Sequence, residues 1–167
     1  HKEYRRQRQM CIRDRAFAAQ AVAGSGATVT SLTTGSVEPH DLELDPGQVA
    51  ALREADVVVY IPGLMPTLDD AVAELPAERV LDASAVITGA GAQPGDPHLW
   101  LDPIALAEVG KAMADRLAEI SPSAAPEYTA GAADLGQRLT ELDTAWRAGT
   151  RQCDRRQLFV THDAFGY

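Results

Sequence analysis

Two long segments of the chain repeat apolar residues at every third or fourth position, which places them on one face of an α-helix. From Pro103 to Ile120 the repeating residues are Leu106, Val109, Met113, Leu117 and Ile120. From about Pro126 to Gly149 they are Tyr128, Ala132, Leu135, Leu139, Leu142 and Trp146. We predict two long helices separated by Ser121-Pro122-Ser123, with both aromatic residues of the second helix packed in the core.

Shorter elements come before this pair of helices, and they alternate between helix and strand. The pattern predicts helices over 17–23, 46–55 and 67–75. Runs of β-branched or continuously apolar residues predict strands over 27–34, 56–61 and 79–84, and a last strand over 158–160. This order predicts an α/β fold with a mostly parallel sheet flanked by helices.

Length and composition restrict the class of protein. With 167 residues the chain forms one domain or slightly more, and 46% hydrophobic with 23% charged residues is ordinary globular usage. The net charge of -9 excludes nucleic acid as an expected partner, because such a partner requires a basic face. No apolar run approaches the roughly 20 residues that span a bilayer.

Basic residues are concentrated at the start of the chain. Residues 1–15 hold six Lys or Arg and two acidic residues, do not begin with Met, and lack the apolar stretch of a signal peptide. We interpret them as a non-native or misread end. Because Cys11 lies there, Cys153 stands alone, which supports neither a disulfide framework nor a cysteine-rich zinc site. We expect the Cys153 thiol to be half-buried.

Three histidines follow predicted strands, at the sheet edge where α/β proteins bind ligands. His40 follows 27–34, His98 comes after 79–84, and His162 follows 158–160. Each has carboxylates near it in sequence, and a carboxylate can fix the tautomer of a metal-bound imidazole. Three imidazoles suit zinc far better than magnesium or calcium.

The segments around these histidines also resemble a known family. V-E-P-H-D-L-E-L-D-P-G-Q, D-P-H-L-W-L-D-P and V-T-H-D-A-F-G-Y are similar, in this order, to the metal-site motifs of the zinc/manganese solute-binding proteins of ABC transporters. The resemblance runs from about Phe17 to Tyr167. It implies that His40, His98 and His162 bind the metal, together with an acidic residue of a second lobe. It favours zinc over manganese, because manganese-binding relatives typically carry a carboxylate in place of His162.

The resemblance further implies a domain organisation and a function. Residues 16–121 would form the N-terminal lobe, 122–150 a long helix that joins the lobes, and 151–167 the truncated start of the second lobe with only its first strand. The function implied is high-affinity zinc capture by a monomer, in the periplasm or on a lipid anchor, and delivery to a membrane permease.

Two other classes stay open on the residues alone. A mononuclear zinc hydrolase could use the three histidines with water in the fourth position, but the chain has no His-Glu-x-x-His motif and no carboxylate set apart as a base. A metal-free structural domain would make the histidines incidental. Metal binding without turnover of ester or peptide substrates distinguishes a carrier from both, and we expect the protein not to be an enzyme.

Overall fold

The computed structural model describes residues 16–32, 43–87, 98–155, 157, 159 and 160. The helices are α1 (16–23), α2 (Pro46–Glu54), α3 (Pro66–Ala73), α4 (Pro103–Ile120) and α5 (Ala125–Thr150). The strands of the described part are β1 (Val58–Tyr60) and β2 (Val80–Asp82). Short 3-10 helices cover Ala77–Arg79, Leu99–Leu101 and Pro122–Ala124. From α2 to α4 helices and strands alternate as the sequence predicts, which confirms the α/β class.

The two strands pair in parallel. Val58 lies opposite Val80, Val59 opposite Leu81, and Tyr60 opposite Asp82. Helix α3 lies in the connection between them, because parallel neighbours require a crossover rather than a hairpin. Val58 and Leu81 are buried in the main hydrophobic core.

Helices α4 and α5 pack along each other after the short turn at Pro122–Ala124. Their predicted stripes form much of the core, where Val109, Met113, Tyr128 and Leu135 are buried. The prediction for the second stripe is wrong at its far end, since Leu142 is 54% and Trp146 66% exposed. Helix α5 has 26 residues and α4 has 18, so α5 extends beyond the start of α4 and loses its partner there.

The start of α2 forms as its sequence predicts. The Asp45 carboxylate accepts hydrogen bonds from the backbone N–H groups of Gly47 and Gln48, and the Gln48 side chain accepts one from the Asp45 N–H. This reciprocal capping box supplies partners for N–H groups that the helix itself cannot bond. The Gln48 amide also donates to the Leu32 carbonyl at 2.7 Å, which ties α2 to the segment after α1.

Two predicted strands are wrong in the described part of the chain. Residues 27–32 form no strand. The Leu32 carbonyl at the end of this segment and the Gly26 carbonyl just before it accept side-chain hydrogen bonds instead. Residues 159 and 160 are likewise not in a strand, and Phe159 is 97% exposed. High β propensity yields a strand only where a neighbouring strand supplies the ladder. Residues 33, 34 and 158 lie outside the described part.

Cys153 is exposed rather than half-buried, because it follows the last turn of α5 and none of the described elements covers it. Within the described residues no helix is long and apolar enough to cross a membrane. Residues 1–15 and the glycine-rich segment before His98 lie outside the described part.

Candidate metal centre

The structure describes one of the three predicted ligands. His98 is buried, with 8% of its surface exposed, whereas His40 and His162 lie outside the described residues. The described residues alone bring together no group of three or more His, Cys, Asp or Glu that could hold a metal. The proposed set of three histidines therefore remains a prediction.

The start of α4 determines where His98 lies. The His98 carbonyl accepts a hydrogen bond from the Leu101 N–H at 3.0 Å, which closes the turn that leads into the helix. Asp102 caps α4, and its Oδ1 accepts from the N–H groups of Ile104 at 2.8 Å and Ala105 at 3.3 Å. Pro103 then occupies the first helical position, where its missing N–H costs nothing. The segment D-P-H-L-W-L-D-P is thus also a helix start, and the Asp102 carboxylate has a structural use.

An aromatic ring lies against the buried imidazole. The ring centroids of His98 and Trp100 are 5.4 Å apart, and their planes are inclined by 51°. This separation and tilt are typical of favourable contacts between aromatic rings. Trp100 is itself partly buried and packs on the main core. Trp100 has no evident role in the sequence alone, because its contact with His98 depends on the turn geometry.

Three further polar side chains lie near the carboxyl ends of the two strands. Tyr60 and Asp82 end their strands side by side, and Asp69 lies on α3. Burial, with the negative charges of Asp82 and Asp69, raises the pKa of Tyr60. Both carboxylates accept hydrogen bonds from backbone N–H groups. Asp82 accepts one from Ser84 at 2.8 Å, and Asp69 accepts one from Gly63 at 3.0 Å. They add negative potential at this edge of the sheet.

The end of α5 lies near the start of α4. Arg147 donates to the Asp143 carboxylate at 2.7 Å, and this hydrogen bond is the main reason that the pKa of Arg147 is raised. The charge of Asp102 raises the same pKa further. Because α4 and α5 pack along each other after a short turn, the last turns of α5 run back toward the end of α4 that holds the His98 turn.

The family comparison decides what kind of chain carries this turn. The model of the family ZnuA, described as zinc-uptake complex component A, periplasmic, matches residues 12–167. The chain belongs to this family. The match covers all three histidine motifs, and it confirms the resemblance to zinc-type solute-binding proteins.

Individual relatives agree with this zinc-uptake family. The zinc-binding protein AdcA of Streptococcus pyogenes is 26% identical over 176 residues, which cover 89% of this chain and 34% of AdcA. The solved structure of the metal-dependent lipoprotein YcdH from Bacillus subtilis has a TM-score of 0.79 at 25% identity, over 92% of this chain and 59% of YcdH. Zn(II)-bound AdcA from Streptococcus pneumoniae gives 0.77 at 25% identity, over 91% of this chain and 34% of AdcA. The chain thus spans about a third of AdcA and about three fifths of YcdH.

Proposed function

We propose that this chain captures zinc outside the cytoplasm for an ABC-type importer and passes the ion to its permease. The observation that carries the proposal is a buried histidine, His98, in the turn before α4 of a chain that matches the zinc-uptake family over residues 12–167. Relatives named as zinc-binding proteins, and the Zn(II)-bound structure of one of them, support zinc as the cargo.

The proposed ligands are His40, His98 and His162, with an acidic residue of a second lobe as the fourth. Three imidazoles and one carboxylate form a tetrahedral set of the kind that zinc prefers. The buried imidazole of His98 has already lost much of its hydration and side-chain freedom. The entropy cost of ordering it when the metal binds is therefore smaller.

The proposed organisation is a two-lobed protein. Residues 16–121 form the first lobe, 122–150 the helix that joins the lobes, and 151–167 the start of the second lobe. Two observations support this division: AdcA and YcdH are longer than this chain, and α5 leaves Leu142 and Trp146 exposed on its last turns. Apolar side chains in that position are suited to contact with a further lobe.

Release follows from the same organisation. Ligands that come from both lobes separate when the cleft opens, so a domain movement at the permease lowers the affinity for the ion. The net charge of -9 attracts divalent cations to the protein at low ionic strength. We propose a monomer that performs no catalysis, and nothing in the comparisons favours the hydrolase.

The test is a zinc titration of the chain against a chromophoric chelator, with each proposed ligand replaced in turn. We expect His40→Ala, His98→Ala and His162→Ala to weaken zinc binding, while the matched control His1→Ala leaves it unchanged. The complete product of the gene should bind zinc more tightly than residues 1–167 if a second lobe supplies the fourth ligand. Absence of zinc binding by the complete product would refute the proposed function, and turnover of ester or peptide substrates by the zinc-bound chain would favour the hydrolase.

A further inference from the structure

The rings of His98 and Trp100 are in contact, two positions apart in the sequence. Side chains two positions apart in an extended chain lie on the same face, with about 6.5–7 Å between their Cα atoms. Here the chain turns instead, closed by the hydrogen bond from the Leu101 N–H to the His98 carbonyl, and the ring centroids lie 5.4 Å apart. The contact forms within the turn before α4, and it involves the one proposed ligand that the structure describes.

The Trp100 indole also packs against the core. Trp100 packs against the hydrophobic cluster to which Leu106 and Val109 of α4 also belong. This packing restricts the position of the indole. An imidazole in contact with such a ring has fewer orientations available than one in an open loop.

We propose that Trp100 is a positioning residue for zinc binding: its core-anchored indole holds the His98 imidazole in the orientation that the metal requires. This inference rests on the proposed function. Groups that orient a metal-bound imidazole typically change metal affinity by about 10- to 100-fold when they are removed. A ring contact is weaker than the hydrogen bonds behind those values, so the lower end of that range applies.

The experiment compares Trp100→Ala and Trp100→Phe in the 167-residue chain by zinc competition titration. We expect Trp100→Ala to weaken zinc binding about tenfold, and Trp100→Phe, which keeps an aromatic ring, to restore most of the affinity. The absorption spectrum of bound Co(II) reports the arrangement of the ligands, and we expect Trp100→Ala to change it. These readouts follow the geometry of the site rather than the stability of the fold.

A matched control separates positioning from general destabilisation. Met113 is buried on α4, about 15 Å along the helix from Pro103. We expect Met113→Ala to lower the stability of the protein without changing zinc affinity or the Co(II) spectrum. If Met113→Ala weakens zinc binding as much as Trp100→Ala, or if Trp100→Ala binds zinc like the wild type, Trp100 does not position the ligand.

Fluorescence provides a test that does not depend on how well Trp100→Ala folds. The chain has two tryptophans, so Trp146→Phe leaves Trp100 as the sole indole emitter. Zinc that binds to an imidazole 5.4 Å from this indole changes its electrostatic surroundings, and we expect the emission to change in proportion to zinc occupancy. Zinc binding without any change in emission would overturn the inference and leave the proposed function intact. A wild-type chain and complete gene product that both fail to bind zinc would overturn the two together.

Discussion

The Tyr128 hydroxyl donates a hydrogen bond to the Gly26 carbonyl at 2.8 Å, across 102 residues of the sequence. The preceding residue of α5, Glu127, binds the same turn, because its carboxylate accepts from the Ser25 N–H at 2.7 Å and the Ser25 hydroxyl at 2.9 Å. The first turns of α5 thus hold the end of α1. These contacts fix the start of α5 to the turn that follows α1.

Replacing Tyr128 by Phe should weaken this attachment. Tyr128 is 1% exposed, so the variant keeps the packing of the ring but leaves the Gly26 carbonyl without its side-chain partner. We expect the free energy of unfolding to fall by about 1–2 kcal/mol, as measured by urea denaturation with an unchanged m value. An unfolding curve that matches the wild type would show that this hydrogen bond contributes nothing to stability.

Alanine substitutions at two glycines of α5 should change the stability of the protein in opposite directions. A Cβ on Gly131 would lie 2.5 Å from the Ala21 carbonyl oxygen and 2.8 Å from that of Val22, so Gly131→Ala forces the backbones of α1 and α5 apart. A Cβ on Gly136 meets no atom within 4 Å. We expect Gly136→Ala to stabilise the protein by about 0.5–1 kcal/mol through helix propensity.

We expect Gly131→Ala to destabilise it by about 1–3 kcal/mol, the typical cost of overpacking. Thermal unfolding of both variants, followed by circular dichroism, measures the two effects on a single helix. Equal shifts of the melting temperature in the two variants would mean that α1 does not pack on α5 at Gly131.

The attachment of α5 should also depend on pH through Glu127. The hydrogen bonds from the Ser25 backbone and side chain lower the pKa of Glu127. A carboxyl group whose pKa is lower in the folded state stabilises the fold above its unfolded pKa, and this contribution disappears as the pH falls through the folded pKa. We therefore expect Glu127→Gln to be less stable than the wild type at neutral pH, and the difference to vanish in acid below the ordinary glutamate value of about 4.3.

Urea denaturation at a series of pH values measures this convergence. Glu54→Gln is the matched control, since Glu54 is an exposed glutamate on a different helix, α2. A gap between the wild type and Glu127→Gln that is constant across the acid range would show that the stability difference does not come from the charge of Glu127.

Local signals in the sequence determined most helix boundaries. Asp45 and Asp102 each precede a proline and each caps a helix, so α2 and α4 begin where the sequence predicts. Helix caps involve residues within three positions of each other, and a sequence displays them directly. The repeat of Leu106, Val109 and Met113 likewise reports the buried face of α4, because its partner helix follows immediately.

The wrong predictions all depend on partners distant in sequence. Residues 27–32 have the composition of a strand, but side chains distant in sequence bond the backbone here. Gln48 donates a hydrogen bond to the Leu32 carbonyl, and Tyr128 donates one to the Gly26 carbonyl just before the segment. Trp146 continues the apolar repeat of α5 past the point where α4 can cover it. Neither fact is visible in the segment concerned, since both follow from the lengths and positions of other elements.

The family was predictable from the sequence, whereas the geometry around His98 was not. The three histidine motifs indicated the family that the comparison confirms, and the set of three ligands stays a prediction. The contact between His98 and Trp100 forms within the turn that closes at Leu101, and the local sequence does not reveal it.

The choice of metal should depend on His162, which lies outside the described residues. With three imidazoles and one carboxylate the proposed site suits zinc, whereas manganese prefers more oxygen ligands and a higher coordination number. Zinc also lies well above manganese in the affinity order of divalent metals at nitrogen-rich sites. His162→Glu replaces a nitrogen ligand by oxygen, so we expect lower zinc affinity and a smaller advantage of zinc over manganese, with His1→Glu as the control for added charge. Competition titration with both metals measures the ratio, and a wild-type preference for manganese would show that the third histidine does not select the ion.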